Sequence, residues 1–196
     1  RSPDDYLEYL HPMWTVEGVR ARVIDVITET GSASTVRLKP NGAWSGFTPG
    51  QHVEFGVEVD GIRRIRVFSV SSSAANTDGT FTVSVKAHPD GFVSQHLHNQ
   101  MLKTGTVVYL SAAKGDFVLP KVVPEHITLI SGGSGITPVM SMLRTLTDRK
   151  HQGTVDFIHY ARSLEDEMFS SELDGLATKP GVRMTRIYTR VPADDA

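Results

Sequence analysis

A glycine-rich turn at residues 131–138, Ser-Gly-Gly-Ser-Gly-Ile-Thr-Pro, is the strongest chemical signal in the sequence. It directly follows an apolar run, ITLIS, and directly precedes an amphipathic stretch that has Pro138 in its first turn. Glycine lets the backbone approach a phosphate closely, and the free N–H groups of a helix N-terminus favour an anion. The spacing is neither that of the GxGxxG fingerprint nor that of a P-loop. The turn predicts a site for a nucleotide pyrophosphate, and a strand-helix turn without a ligand is the alternative.

A second signal is the run Arg66-Val67-Phe68-Ser69 on a predicted strand. Alternation places Arg66 and Phe68 on one face of the strand and the other two side chains on the opposite face. An arginine can bind a pyrophosphate through its planar fork, an aromatic face can lie against an isoalloxazine or adenine ring, and a hydroxyl can hydrogen bond a ring nitrogen. Taken alone, the same run is more often a solvated strand edge with one core residue.

A third signal, Gly91-Phe92-Val93-Ser94, begins the one helix predicted in the β-rich part of the chain. Ser94 is well placed to cap this helix, and the helix N-terminus could receive an anion. Plain capping without any ligand explains Ser94 equally well.

From residue 19 to residue 110, short runs of β-branched or aromatic residues separated by turn residues predict antiparallel β-structure, as a sandwich or a barrel. The predicted strands cover residues 19–27, 33–39, 52–59, 62–70, 80–87 and 106–111, and a helix is predicted over 93–102. Asp60-Gly61 and Asp78-Gly79 are tight-turn signals, so we predict a hairpin at each. A short helical segment from Pro3 to Trp14 precedes the strands.

Beyond residue 120 the pattern predicts a βαβαβ unit and therefore a parallel sheet. Strands predicted over 127–131, 154–161 and 182–188 alternate with helices from Pro138 to about Arg149 and from about Glu165 to Leu176. We divide the chain into a lead-in (1–14), a β-domain (15–120) and an α/β domain (121–196). Parallel sheets usually have about five or six strands. Because the sequence stops after three, we expect the second domain to be truncated, and a first residue other than Met also suggests a trimmed product.

Composition excludes several classes of function. The chain has 196 residues, a formal net charge of -2 and no cysteine, so we expect no nucleic-acid partner, no disulfide and no cysteine-ligated metal within it. No apolar run approaches the roughly 18 residues of a membrane helix, and we expect a soluble, cytoplasmic protein. His96 and His98 lie two apart on a predicted helix and point to different sides, so we predict no metal site.

Taken together, these motifs identify a family by resemblance. The runs RxFS, GFVS, Gly115-Asp116-Phe117 and GGSGITP, with Pro49-Gly50-Gln51-His52-Val53 ahead of them, occur in one order along the chain. In this order they resemble the ferredoxin-NADP reductase-like flavoenzymes, and most closely the bacterial oxygenase and desaturase reductases and the flavohaemoglobin reductase modules. The resemblance implies an antiparallel FAD-binding β-barrel followed by a truncated, Rossmann-like α/β nicotinamide-binding domain with a parallel sheet.

The resemblance also implies roles for individual residues. Arg66 and Ser94, with the Gly91 turn, would hold the FAD pyrophosphate; Phe68, in place of the family's usual tyrosine, would face the isoalloxazine. Ser69 near the reactive flavin nitrogen and Thr137 near the nicotinamide are the catalytic candidates. The cofactor-binding candidates are Arg66, Val67, Phe68, Ser69, Ser71, Gly91, Phe92, Val93, Ser94, Phe117, Gly132, Gly133, Ser134, Gly135, Ile136, Thr137, Pro138 and Arg162.

Arg162 follows a predicted strand at the place where the family binds the adenosine ribose. It could pair with a 2′-phosphate and so favour NADPH slightly over NADH, or it could be a surface arginine paired with Glu165 or Asp166. A basic face formed by Arg20, Arg22, Arg63 and Arg64 could receive an acidic partner, but it is also typical of a solvated strand edge.

The predicted function is an oxidoreductase that moves electrons from NAD(P)H through bound FAD to an iron-sulfur or other one-electron acceptor serving an oxygenase or desaturase. A 2Fe-2S cluster would lie outside this chain, in a ferredoxin-type domain or protein. The expected truncation would leave the hydride-transfer site incomplete, so this fragment could be inactive. Two alternatives stay open: an FMN- and NADH-dependent reductase of the same fold, and a non-catalytic flavin-binding or docking module.

Overall fold

A computed structural model describes residues 11–15, 18–59, 61–88, 91–98 and 102–190, and within them the chain forms two sheets. The first is antiparallel, has six strands in the order β4-β3-β6-β1-β2-β5, and we call it the barrel. The second is a parallel sheet of three strands, β7-β8-β9, and we call it with its helices the parallel-sheet half. The predicted change from antiparallel β-structure to a βαβαβ unit is confirmed.

The barrel encloses an apolar core, whereas the side chains of its edge strand β4 are exposed or half-buried. Its apolar interior includes Val23, Leu38, Phe55 and Phe81, all shielded from solvent. A backbone bridge between Val70 and Val83 connects the end of β4 to β5, which are the two edges of the sheet, and so closes the barrel. The elements are β1 Val19–Thr30, β2 Ala33–Pro40, β3 His52–Val59, β4 Ile62–Ser69, β5 Phe81–Lys86, helix α1 Phe92–His98 and β6 Val107–Leu110.

One of the two predicted hairpins forms and the other does not. Strands β3 and β4 pair up to Val59 and Ile62, and Gly61 has a φ of 71° in the connection, as a tight turn requires. The tight Asp78-Gly79 hairpin is wrong, because a longer loop joins β4 to β5 and the two strands meet at the Val70–Val83 bridge rather than beside this turn. Hydrogen bonds from the hydroxyl and N–H of Thr80 lower the pKa of Asp78 to about 2, so this aspartate shapes the loop before β5.

In the parallel-sheet half, both long helices pack on the same face of the sheet. Leu143 on α2 and Leu173 on α3 share one apolar cluster with Leu129 and Phe157 of the sheet. Because the three strands are parallel, their carboxyl ends meet at one edge of the sheet. The elements are β7 His126–Gly132, α2 Ile136–Asp148, β8 Thr154–Ala161, α3 Ser170–Ala177 and β9 Val182–Tyr188.

The helix predicted from about Glu165 to Leu176 is interrupted. Leu164–Asp166 forms a single 3₁₀ turn, and α3 begins only at Ser170. Phe169 adopts a φ of 62°, which an α-helix does not allow, and its side chain is buried. Burying Met168 and Phe169 in the core therefore outweighed the helical pattern of the sequence.

The two halves are joined by a polar and apolar interface that the sequence did not predict. The loop at residues 71–74, after β4, lies against α2. The Ser141 hydroxyl donates to a carbonyl of this loop at 2.7 Å, and Arg144 Nη1 donates to another at 2.5 Å. Ala33 of β2 is completely buried within the apolar cluster of the parallel-sheet half. The halves consequently pack as one body around shared contacts.

The structure describes only part of the predicted N-terminal lead-in. Of the predicted lead-in, only residues 11–14 are described; they form a turn in which the Trp14 N–H donates to the His11 carbonyl at 2.9 Å. The rest of that prediction lies outside the described residues.

Among the helices that are described, none has the length and apolar character needed to cross a bilayer.

Candidate functional site

A cleft of about 680 Å³ opens where the carboxyl ends of the parallel strands meet the end of strand β5 of the barrel. In open parallel sheets this edge is where ligands bind, and the volume lies in the range of small-molecule sites. The lining residues come from both halves of the chain: Lys86, Ala87, His88, Gly132, Gly133, Ser134, Tyr160, Ala161, Arg162, Asp166 and Thr189.

The glycine-rich turn forms one wall of this cleft. Gly132, Ser134 and Gly135 are exposed, and a Cβ added at Gly133 or Gly135 would meet no atom within 4 Å. Residues Gly133–Gly135 form a 3₁₀ turn that runs directly into α2, and no side chain caps the start of either helix. Open space and uncapped N–H groups are the two features that let a helix start receive a phosphate.

Arg162 lies at the carboxyl end of β8 and lines the same cleft. Its side chain is exposed, and no ion pair to it occurs within the part of the chain that the structure describes. The alternative pairing with Glu165 or Asp166 does not form. A hydrogen bond from the Ser163 side chain lowers the pKa of Glu165, while Asp166 pairs with a lysine.

That lysine is Lys86 of the barrel. Its Nζ lies 3.2 Å from Asp166 Oδ1, and the two side chains are only 22% and 28% exposed. It is the one ion pair between the two halves among the described residues. Lys86 and Asp166 therefore connect the two walls of the cleft.

Below the glycine turn lies a row of polar side chains across the sheet. Ser131, His159 and Arg186 are register partners on adjacent strands. Ser131 Oγ lies 2.9 Å from His159 Nδ1, and Arg186 contacts the buried carboxylate of Glu167 at 3.3 Å. Burial lowers the pKa of His159 to about 4, so the imidazole is neutral at pH 7. This neutral His159 supports the residue immediately before the turn.

The run at residues 66–69 lies on β4, outside the lining of the cleft. The Arg66 side chain is exposed, and its Nη1 donates to the Ile65 carbonyl at 2.7 Å. Its other N–H groups have no partner among the described residues. Phe68 is half-buried, and its ring lies edge-on to that of Phe55 in the core, with 5.9 Å between the ring centroids. Ser69 is half-buried and Val67 is 57% exposed. An arginine, an aromatic ring and a hydroxyl thus occur together at one end of an edge strand.

Ser71 is not available to a cofactor, which corrects that prediction. The residue is completely buried, and its hydroxyl lies 2.8 Å from Thr82 Oγ1 and 2.7 Å from Ser84 Oγ. Its N–H donates to the Thr82 carbonyl, and its own carbonyl accepts from Arg144. Every polar group of Ser71 is used where the barrel meets α2.

The segment Gly91 to Ser94 begins α1 with a different geometry from the one predicted. Ser94 is not the cap, because α1 already begins at Phe92; its hydroxyl donates to the Gly91 carbonyl at 2.9 Å and accepts the His88 N–H at 3.1 Å. Val93 is completely buried in the barrel core, so only its backbone could contact a ligand. The Phe92 side chain lies outside what is described. A Cβ at Gly91 would lie 2.3 Å from Ser94 Oγ, which explains the glycine.

The motifs at residues 49–53 and 115–117 pack on each other. A Cβ at Gly50, whose φ is 102°, would lie 2.1 Å from the Phe117 carbonyl oxygen. A Cβ at Gly115 would lie 2.9 Å from His52 Nδ1. These glycines therefore hold two loops together, and the Phe117 side chain is left 62% exposed.

The residues after the glycine turn face inward more than predicted. Ile136 is completely buried in the core of the parallel-sheet half, so its side chain cannot contact a cofactor. The Thr137 hydroxyl is buried and donates to the Ser134 carbonyl at 3.1 Å. Pro138 is half-buried in the first turn of α2. Thr137 helps to shape the turn, and its predicted place beside the nicotinamide stays a prediction.

The residues present fit the two cofactors that the motifs suggest. The cleft offers uncapped N–H groups and an unpaired guanidinium, which suit a dinucleotide with a 2′-phosphate. The end of β4 offers Arg66, Phe68 and Ser69, the donor set that suits a flavin dinucleotide. No group of three metal-ligating side chains occurs in the described ranges.

Sequence reasoning did not single out Lys86, Ala87, His88 or Thr189 as residues of the cleft, and it named Asp166 only as a possible partner of Arg162. Lys86 is the last residue of β5, and the others lie just beyond a strand or in a turn. Residues 86–88 come a few positions before the GFVS run, so their place at the end of a predicted strand was the one signal that could have identified them.

Comparison with known proteins finds two domain families along the chain. A family model described as oxidoreductase FAD-binding domain matches residues 21–119, and one described as oxidoreductase NAD-binding domain matches residues 129–196. An NADPH oxidoreductase of Mycobacterium tuberculosis is 43% identical over 192 residues, which are 96% of this chain and 50% of that protein. The chain spans about half the length of the curated relatives it matches.

Two further similarities bear on function and fold. The glycine betaine monooxygenase reductase subunit of Chromohalobacter salexigens is 32% identical over 180 residues, 91% of this chain and 45% of that protein. The flavohem-like FAD/NAD binding domain of nitric oxide dioxygenase from Vibrio cholerae superposes with a TM-score of 0.79 and 28% identity. That alignment covers 92% of this chain and 78% of the other.

Proposed function

Because this chain belongs to the ferredoxin-NADP reductase-like flavoenzymes, we propose that it carries electrons from NADPH, in preference to NADH, to a one-electron acceptor. The acceptor is an iron-sulfur centre, or another one-electron centre, that serves an oxygenase or desaturase. The observation that carries the proposal is the cleft at the carboxyl ends of β7 and β8, which combines an uncapped glycine turn with an unpaired Arg162.

The nicotinamide dinucleotide would bind in this cleft. The N–H groups at Gly133 to Gly135 would receive the pyrophosphate, and Arg162 the adenosine 2′-phosphate. A charge-assisted hydrogen bond contributes about 1.5–3 kcal/mol, which corresponds to roughly 10- to 150-fold in affinity. Because NADH lacks the 2′-phosphate, Arg162 would favour NADPH.

The flavin site would lie along the end of β4. Arg66 would bind the FAD pyrophosphate, one face of Phe68 would lie against the isoalloxazine, and the Ser69 hydroxyl would donate to a ring nitrogen. Bound FAD supplies the chemistry that links a two-electron hydride donor to one-electron acceptors. The barrel supplies orientation: Phe68 packs against Phe55, which is fully buried and fixes the plane of the ring.

The acceptor is proposed from similarity. The relative named as a reductase subunit of a monooxygenase is 32% identical to this chain, and such a subunit passes electrons to a separate component. The exposed Phe117 and the arginines of β4 lie on the outside of the barrel. They leave a surface on which an acidic ferredoxin-type partner could approach the flavin.

The test begins with the absorption spectrum of the purified protein and identification of the cofactor released on denaturation. Anaerobic addition of NADPH, then of NADH, should bleach a bound FAD, faster and at lower concentration with NADPH. Arg66→Gln should weaken FAD retention, while Arg64→Gln, on the same strand, should not. A protein that retains and can be reconstituted with neither FAD nor FMN would contradict the proposal, and FMN in place of FAD would revise the cofactor.

A second measurement addresses the acceptor. Anaerobically reduced protein is mixed with oxidised cytochrome c, a one-electron acceptor, and separately with a plant-type ferredoxin. Reduction of both at rates above those of free FAD supports one-electron transfer. Failure to reduce either, with the FAD itself bleached by NADPH, would overturn this part of the proposal.

A further inference from the structure

We propose that Lys86 of the barrel is a positioning residue for coenzyme selectivity, because it holds the Asp166 carboxylate and thereby keeps Arg162 free for a 2′-phosphate. The inference rests on the proposed function of the cleft and deepens it. It assigns part of the choice between NADPH and NADH to a residue of the flavin-binding half.

Acidic residues follow Arg162 closely in the sequence, so the lack of an ion pair to Arg162 among the described residues needs an explanation. Glu165 and Asp166 follow it within four residues, and Asp166 lines the same cleft. An arginine close to a carboxylate normally forms an ion pair. An uncompensated carboxylate in the cleft would also repel a dianionic phosphate.

Lys86 is the ion-pair partner of the Asp166 carboxylate. The Nζ to Oδ1 distance is 3.2 Å, and both side chains are about three-quarters buried, so solvent screens this pair less than a fully exposed one. Lys86 is the last residue of β5, where its register partner Ala33 is completely buried at the interface between the halves. The lysine therefore extends into the cleft from a rigid part of the barrel.

Glu165 is not among the residues that line the cleft. Its side chain is exposed to solvent, and hydrogen bonding by the Ser163 side chain is the main cause of its lowered pKa. Of the two acids that follow Arg162, Asp166 is therefore the one that lines the cleft, and Lys86 pairs with it. The guanidinium remains exposed at the cleft.

The expected consequence of removing Lys86 follows from charge. In Lys86→Met, Asp166 has lost its partner, can pair with Arg162 and repels a bound phosphate. Affinity for a 2′-phosphorylated nucleotide should fall about fivefold, within the range of a partly exposed ion pair. Affinity for a nucleotide without that phosphate should stay the same.

The experiment measures binding and does not depend on turnover. Isothermal titration calorimetry of the full chain with adenosine 2′,5′-bisphosphate and with 5′-AMP gives the ratio of the two dissociation constants for each variant. The preference for the 2′-phosphorylated nucleotide should fall in Lys86→Met and recover in Lys86→Met/Asp166→Asn. When Arg162 is already glutamine, Lys86→Met should reduce this preference less, because only the repulsion by Asp166 remains. Lys86→Arg should preserve it, and Lys114→Met, which removes the barrel pair with Glu54 at 3.1 Å, is the matched control.

Each contrary result has a distinct meaning. A loss in Lys86→Met that Asp166→Asn does not restore would show that Lys86 contacts the phosphate itself, and would overturn the proposal. Equal losses for both nucleotides, or no loss, would overturn it as well. If Arg162→Gln alone leaves the ratio unchanged, the NADPH preference in the proposed function fails, and this is seen before Lys86 is tested.

Discussion

Among single residues, His159 has the most constrained environment. It is 1% exposed, and its Nδ1 lies 2.9 Å from the Ser131 hydroxyl directly below the glycine turn. Burial disfavours the imidazolium and lowers the pKa from 6.5 to about 4, and the nearby Arg186 and Lys86 charges act in the same direction. The folded protein therefore binds a proton at His159 less readily than the unfolded chain does.

This difference predicts a loss of stability in mild acid. Between pH 6.5 and about 4 the unfolded chain is protonated at this position and the folded chain is not, so the free energy of unfolding falls as the pH falls. From pH 7 to pH 5 the loss should be about 2 kcal/mol. Urea denaturation at both pH values measures it.

The matched variants separate His159 from other titrating groups. His159→Asn can keep a hydrogen bond to Ser131 and cannot ionise, so it should show a clearly smaller loss. His126→Asn, at an exposed position, should show the same loss as the unmodified chain. Equal pH dependence in all three proteins would mean that His159 does not cause it.

Among the elements, the loops at residues 49–53 and 115–117 are sequence motifs whose glycines serve loop packing. A Cβ at Gly50 would meet both the Phe117 carbonyl and the Met142 side chain of α2. The loop contact thus also fixes where the barrel meets the helix that follows the glycine turn. Only a residue without a Cβ fits there.

Gly50→Ala should therefore destabilise the protein strongly. The added Cβ would lie 2.1 Å from a backbone oxygen, and φ is 102°, so strain and a clash add to about 3 kcal/mol or more. Gly46→Ala has a φ of 84° but nothing within 4 Å, and should cost about 1 kcal/mol. Urea midpoints compare the two, and similar losses would show that the clash is relieved by movement of the loop.

At the scale of the whole molecule, Arg144 connects the halves. Its Nη1 donates to the Ser71 carbonyl, its Nε and Nη2 contact Glu172 of α3, and its guanidinium lies 4.8 Å from the centre of the Phe169 ring. The side chain is 17% exposed. One residue thus holds loop 71–74 of the barrel to both helices.

These contacts predict cooperative unfolding. Both tryptophans, Trp14 and Trp44, belong to the barrel side of the chain, whereas most of the helix in the described residues lies in α2 and α3. Tryptophan fluorescence and circular dichroism at 222 nm should therefore give coincident urea transitions. Separate transitions would mean that the halves unfold independently.

Arg144→Met should move both transitions to lower urea concentration and reduce the free energy of unfolding by about 2 kcal/mol, because it leaves the Ser71 carbonyl and Glu172 without their partner. Arg183→Met removes a pair with Asp156 in which the arginine is 68% exposed, so it should change stability by less than about 1 kcal/mol. Equal effects of the two variants would contradict the role of Arg144 at the interface.

Local pattern was enough to predict most of the elements. Alternation and turn residues located the strands of the barrel within a few residues, and the sequence from ITLIS through GGSGITP indicated β7, the turn and α2. These features depend on neighbours along the chain, where side-chain period and glycine geometry decide the outcome. The family resemblance depended on the same local motifs.

Tertiary packing decided the rest. Phe169 broke the predicted helix because its burial outweighed helical periodicity. Strand β5 paired with β2, and a long loop joined it to β4, although Asp78-Gly79 resembled a hairpin turn. Ser71 has the residue type of a cofactor ligand but is buried against Thr82 and Ser84. The pairing of Lys86 with Asp166 joins residues 80 positions apart, and no local pattern encodes which charge meets which across a cleft.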